Sequence, residues 1–243
     1  MLKADLHIHT SDDPWDRIPY STFEVIDRAA ELGYDVLAIT LHDRQLEAEP
    51  FRTYAAARGI VLIAGVERTI EGRHVLLLNF SRATERVRSF DDLARLRRAE
   101  PDGLVIAPHP YFPASNALRD QLERHADLFD AVEYNAMFTR IVNFNVFAER
   151  WAARRGKPMV GNGDVHRFEM LGTTYSLIDA APDAGSICAA IKAGRVHVVA
   201  TPHSTFTAAT LFARLIGSML LPDGTRPNGT PRTIRTPDID LIG

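Results

Sequence analysis

The chain has 243 residues, 46% of them hydrophobic and 24% charged, which excludes wholesale disorder and suits one α/β domain. Its net charge is −3 and its basic residues are spread along the chain, so a polymeric nucleic acid is a poor partner while small phosphorylated molecules stay open. The single cysteine, Cys188, excludes an internal disulfide and reads as a small buried residue on a helix.

In chain order, Ala4–His9 reads as a strand. Ser21–Leu32 has helical spacing of apolar residues and Gly33 as its stop. Val36–Thr40 follows as a strand and Gln45–Arg58 as a helix. Val61–Val66 and His74–Phe80 read as strands with a turn at Glu71-Gly72 between them. Helix Ser89–Ala99, strand Leu104–Ala107, helix Asn116–Asp127 and strand Ala131–Tyr134 continue the rhythm. Helix Val142–Arg155, strands Pro158–Gly161 and Thr174–Ile178, helix Ala184–Ala193 and strand Val196–Ala200 complete it. This alternation predicts a parallel sheet, open or closed into a barrel. An amphipathic segment, Ala208–Leu220, then leads into a Pro- and Gly-rich tail. The apolar run from Ala208 to Leu221 contains Arg214 and is too short to span a bilayer, and the first motif begins at residue 5. The expectation is no membrane partner and a cytoplasmic location.

The chemistry lies at the strand ends. In Asp5-Leu6-His7-Ile8-His9-Thr10, strand alternation puts Asp5, His7 and His9 on one face. Two imidazoles so spaced can chelate one ion, with a carboxylate holding a ring N–H behind them; alone, an exposed edge strand would explain them equally well. The other polar residues decide the matter. His42-Asp43 closes the second strand, Glu67 closes an apolar run, and His74 opens the next strand. His109 follows another strand, and Asp164 and His166 follow Met159–Gly161. Strand C-terminal ends of parallel α/β folds converge on one face, so six of nine histidines should meet there with Glu67 and Asp164. Arg44, Arg68 and Arg167 each directly follow a member of this set and are candidate phosphate clamps, as is Arg140. Glu133 and Asn135 read either as supports behind the site or as a salt bridge at its rim, and His125, His197 and His203 carry no role.

This ordered set of motifs resembles the PHP (polymerase and histidinol phosphatase) superfamily over residues 3 to about 200. The resemblance implies a distorted (β/α)7 barrel over 1–203, with 204–243 as a C-terminal helix and tail. It also implies two to three divalent ions of zinc, manganese or iron. Carried over by motif, His7, His9, Glu67 and Asp164 would hold one ion, and Glu67 would bridge to a second with His74 and His109. His42 and His166 would hold a third with an acid from the loop after His9, Asp16 first and Asp13 second. Leu41 departs from the family, which has an aspartate there. The implied reaction is hydrolysis of a small phosphate monoester or cyclic diester by a metal-bridging hydroxide. Asp164, Glu67, His42 and His166 would be its catalytic groups. Two alternatives stand beside it. One is an amidohydrolase-type barrel acting on C–N or C–O bonds, disfavoured because no lysine lies between Lys3 and Lys157. The other is a metal-binding module without turnover.

Overall fold

The structure, a computed structural model, describes residues 1–47 and 49–220. Nine strands form one sheet: β1 (Leu2–Ile8), β2 (Val36–Ile39), β3 (Val61–Ile70), β4 (Arg73–Leu78), β5 (Leu104–Ala107), β6 (Ala131–Asn135), β7 (Met159–Asn162), β8 (Thr174–Ile178) and β9 (Val196–Ala200). Between and after them lie α1 (Thr22–Glu31), α2 (Phe51–Ala56), α3 (Phe90–Ala99), α4 (Asp120–Arg124), α5 (Asn145–Arg155), α6 (Ala184–Lys192) and α7 (Thr205–Leu220). The strand order is β7-β6-β5-β4-β3-β2-β1-β8-β9. The sheet curls until its ends almost meet, which makes the distorted barrel expected from the resemblance.

Two contacts draw the ends together. Near the mouth, His9 N–H donates to Val165 O at 3.1 Å and Val165 N–H to His7 O at 3.0 Å. Deeper down, Ser176 Oγ accepts Gly161 N–H at 2.9 Å and donates to Gly161 O at 3.0 Å. A Cβ at Gly161 would stand 2.6 Å from Tyr175 O, so only glycine lets β7 and β8 approach this closely.

The expected parallel sheet is corrected to a mixed one. β1, β2 and β3 are parallel, as are β5, β6 and β7. β4 runs antiparallel to both neighbours, and β8 is antiparallel to β1 and β9. The short Glu71-Gly72 turn explains the first reversal, because a parallel return needs a crossover of a dozen or more residues. Two helices are shorter than their periodicity predicts. α2 begins only at Phe51, after Pro50, which disfavours helical backbone at the residue before it. α4 begins at Asp120, because the backbone of Asn116 is engaged as the acceptor of His74 N–H at 2.9 Å.

Side chains from all nine strands fill the barrel, among them Ala4, Leu6, Ala38, Ile63, Leu76, Leu78, Ile106 and Val160. Ile187, Cys188 and Ile191 of α6 close one end of this interior. Alternate residues face outward. Leu37 and Ile39 pack on Val25 and Ile26 of α1, and Val105 and Val132 pack with Leu93 of α3 and Trp151 of α5. Burial of these apolar faces drives the fold at roughly 25 cal/mol per Å². It leaves the end opposite α6 for polar groups. The tail expected from Leu221 onward lies outside the described residues.

Candidate metal centre

Six strands deliver the cluster. His7 lies in β1 and His9 just beyond it, Glu67 in β3 and His74 at the start of β4. His42, His109, Asp164 and His166 follow β2, β5 and β7, and Asp13 and Asp16 lie between β1 and α1. A shift in the β1–β2 register between Asp5 and Ile8 breaks strict alternation. Leu6 therefore packs inside the barrel with Ala4, while Ile8 packs outward against α1. This corrects the expectation that Asp5 shares a face with His7 and His9. The Asp5 carboxylate instead accepts Gly163 N–H at 3.0 Å, and burial pushes its pKa up to about 7.

Each inner imidazole is oriented from behind. A carboxylate accepts hydrogen bonds but does not donate them, so these contacts place the proton on Nδ1. His7 Nδ1 donates to Glu133 Oε1 at 2.9 Å and His9 Nδ1 to Asp13 Oδ2 at 2.9 Å. His42 Nδ1 donates to Asp13 Oδ2 at 3.0 Å, and His166 Nδ1 to the Asp164 carbonyl at 2.9 Å. The Nε2 lone pairs then point into the cluster. His7 Nε2 and His9 Nε2 are buried with no hydrogen-bond partner. His7 Nε2 lies 3.4 Å from both Glu67 Oε1 and Asp164 Oδ1; His9 Nε2 lies 3.4 Å from Glu67 Oε2 and 3.6 Å from Asp164 Oδ1. Ligands about 2.0–2.2 Å from one tetrahedral ion stand roughly 3.3–3.6 Å apart. The donor set therefore fits a divalent cation in chemistry and in spacing.

Glu67 is the hub. Its Oε1 is 2.7 Å from His74 Nδ1 and 3.1 Å from His109 Nε2, and its Oε2 is 3.0 Å from His42 Nε2. Asp16 Oδ2 is 3.0 Å from His166 Nε2 and 3.8 Å from His42 Nδ1. Three-donor groups unite His7, His9 and Glu67; His7, His109 and Asp164; His42, Glu67 and His74; His9, Asp164 and His166; and His9, Asp13 and His42. His42 and His166 share no such group among the described residues, their rings being 6.4 Å apart. His109 and Asp164 both hold positive φ, 28° and 48°, a backbone state rare outside glycine that gathers at functional sites.

The electrostatics ask for positive charge. Burial alone would lower His42, yet Glu67 and Asp13 more than reverse this and push it up to about 11. Burial likewise opposes, and neighbouring carboxylates outweigh it, at His7, His109 and His166, all of which are raised. His9 goes the other way, down to about 4, from burial and the facing His166 and His42. Against the cost of burial, the histidines hold Glu67, Asp164, Asp13 and Asp16 below their ordinary range.

The cluster floors an open pocket of about 130 Å³. Arg167 lines it, and so do Arg17 and Asn116, which no sequence motif singled out. The other candidate clamps lie elsewhere. Arg68 alternates with Glu67, so its side chain turns outward, only 2% exposed, to Asp43 Oδ1 at 2.6 Å and the Val87 carbonyl at 2.7 Å. Arg44 is exposed and donates to the Asp12 carbonyl, and Arg140 is exposed. Glu133 is fully buried rather than at a rim, and its Oε2 also accepts His109 N–H at 2.7 Å. Asn135 Nδ2 donates to Asp164 Oδ2 at 3.2 Å.

With this geometry in place, known proteins show a consistent likeness. A family model described as PHP-associated matches residues 143–196. The uncharacterized protein MJ1587 of Methanocaldococcus jannaschii is 30% identical over 130 residues, covering 50% of this chain and 75% of its own. Among solved structures, a two-domain protein from Bacteroides vulgatus containing a predicted PHP-like metal-dependent phosphoesterase superposes with a TM-score of 0.65 at 18% identity. That match covers 82% of this chain and 65% of the other. The lesion-specific endonuclease Q of Pyrococcus furiosus superposes with a TM-score of 0.58 at 16% identity, over 87% of this chain and 66% of its own. This chain thus spans slightly less than two thirds of either solved chain. Family model and shared architecture agree: the chain has a PHP-type fold and carries the PHP-associated pattern over residues 143–196.

Proposed function

We propose that this chain is a metal-dependent phosphoesterase acting on small phosphate esters at the Glu67-centred cluster. The observation that carries the reading is the set of oriented imidazoles, with buried Nε2 atoms of His7 and His9 facing Glu67 and Asp164 beneath an open pocket. His7, His9, Glu67 and Asp164 would hold one ion, and Glu67, His74 and His109 a second. His166, Asp16 and His42 would serve a third. Divalent cations bound there supply Lewis acidity, bringing the pKa of water to about 7 and offsetting phosphoryl charge.

The side chains do the rest. Arg17 and Arg167 line the pocket and can bind phosphoryl oxygens through their guanidinium forks. Asp164, held by Asn135, orients the attacking water. The water oxygen bonds to phosphorus as one of its protons passes to solvent, the P–O bond to the alcohol breaks, and the departing oxygen takes up a proton. With only the Glu67-centred ions bound, Nε2 of His42 or of His166 can deliver that proton, since Glu67 and Asp16 keep those rings protonatable. A bounded pocket and a net charge of −3 both favour a small substrate over a long polyanion. The amidohydrolase alternative would have a bridging carbamylated lysine, and no lysine lines this pocket among the described residues.

The test is phosphate release from a panel of small phosphoesters after chelation and reloading with manganese, iron or zinc. Release is expected from reloaded protein alone, and less of it from Asp164→Asn or His7→Ala. A reloaded protein that opens lactones or amides and leaves every phosphoester intact would transfer the site to the amidohydrolase reading.

A further inference from the structure

We propose that the substrate is a phosphomonoester whose alcohol carries an uncharged apolar group. This rests on the phosphoesterase reading above and specifies its substrate. Two features of the pocket point the same way.

Its wall above the donor cluster is built of Ile18, Phe112, Ala114, Met137, Met170 and Leu211. These come from the segments after β1, β5, β6 and β7 and from α7, so apolar surface reaches the mouth from several sides.

The second feature is a shortage of polar partners for an alcohol rich in hydroxyls. Outside the donor set, the described polar lining residues are Arg17, Arg167, Asn116 and Asn135. The arginines suit the phosphoryl group. Asn135 is already engaged, since its Oδ1 accepts Met137 N–H at 2.8 Å and its Nδ2 donates to Asp164 and Glu133. Asn116 directs Nδ2 toward the His74 ring at 3.2 Å and leaves one buried acceptor, Oδ1, without a partner. A sugar or polyol phosphate would lose its hydration here and regain few hydrogen bonds. An aryl or compact alkyl group would bury against Phe112 and Met137 instead.

The experiment compares benzyl phosphate with glycerol 1-phosphate on the manganese-loaded full chain, their alcohols being similar in acidity. The readout is kcat/KM for phosphate release. The expected preference for benzyl phosphate is about tenfold or more. It should narrow to below about threefold in Phe112→Ala and, independently, in Met137→Gln. A ratio near one in the wild type, or a ratio unchanged in both variants, overturns the assignment while leaving the phosphoesterase reading in place. Phosphate released from neither ester, with ions bound, overturns both.

Discussion

Asp13 and Asp16 stand three residues apart on one loop, yet their surroundings assign them different work. Asp13 Oδ1 accepts the N–H groups of Trp15 and Asp16 at 2.8 and 3.0 Å. Its Oδ2 accepts His42 N–H and the Nδ1–H groups of His9 and His42 at 2.9–3.0 Å. With its lone pairs so occupied, Asp13 makes a poor ligand and a strong orienting group. Asp16 has a carboxylate oxygen turned to His166 inside the pocket. Asp16→Ala should therefore lower metal content by about one ion and change stability by less than about 0.5 kcal/mol. Asp13→Ala should lower urea stability by about 2 kcal/mol or more, because buried donors lose their acceptor at roughly 1–3 kcal/mol each. Elemental analysis and urea melts separate the two, and loss of an ion from Asp13→Ala without any loss of stability would exchange their roles. Glu67→Gln should empty the centre more fully than His42→Ala, since Glu67 faces His7, His9, His42, His74 and His109 whereas His42 faces three carboxylates.

The elements fix how close these residues can come. Gly161→Ala would press a methyl against Tyr175 O and should cost about 1–3 kcal/mol by forcing β7 away from β8, visible as a lowered Tm. At the other end, α6 seals Cys188, and burial pushes its thiol up to about 12 from an ordinary 9.0. The neutral thiol is thus favoured in the folded chain. Its contribution to stability is complete below pH 9 and is lost as pH rises toward 12. Iodoacetamide at pH 8 should label Cys188 only as fast as the chain unfolds, and rapid labelling of native protein would contradict the packing described. Most of this architecture was legible because glycine and proline punctuate it and ligand motifs close successive strands. The reversals at β8 and β9 were not, since apolar spacing is blind to strand direction, whereas the short Glu71-Gly72 turn already requires β4 to run back along β3. The register shift in β1 was equally hidden, and it moved Asp5 off the histidine face. Arg44 and Arg68 follow site motifs in sequence, but the pleat and the loop carry both away from the pocket. Asn116 and Arg17 belong to no spacing pattern, and only the curled sheet and its loops bring them in, while Glu133 stood out by its place at a strand end and its burial behind His7 decides between its two readings.

Over the whole molecule, four histidines at the mouth bind protons in the absence of cations and must release them to bind metal. The raised His42, His7, His109 and His166 give the sign. Protons compete at low pH, so affinity for manganese should rise from pH 6 to pH 8, and loading in weak buffer should release protons. Affinity independent of pH over that range would contradict the arrangement of these rings. No described helix is long and apolar enough to cross a membrane. The measurement that bears most directly on the central claim is the metal content of reconstituted wild-type chain beside His9→Ala, read by elemental analysis after removal of loosely held ions. The account predicts about two to three divalent ions per wild-type chain and at least one fewer in the variant. Less than one ion per wild-type chain, or equal content in both proteins, would contradict it.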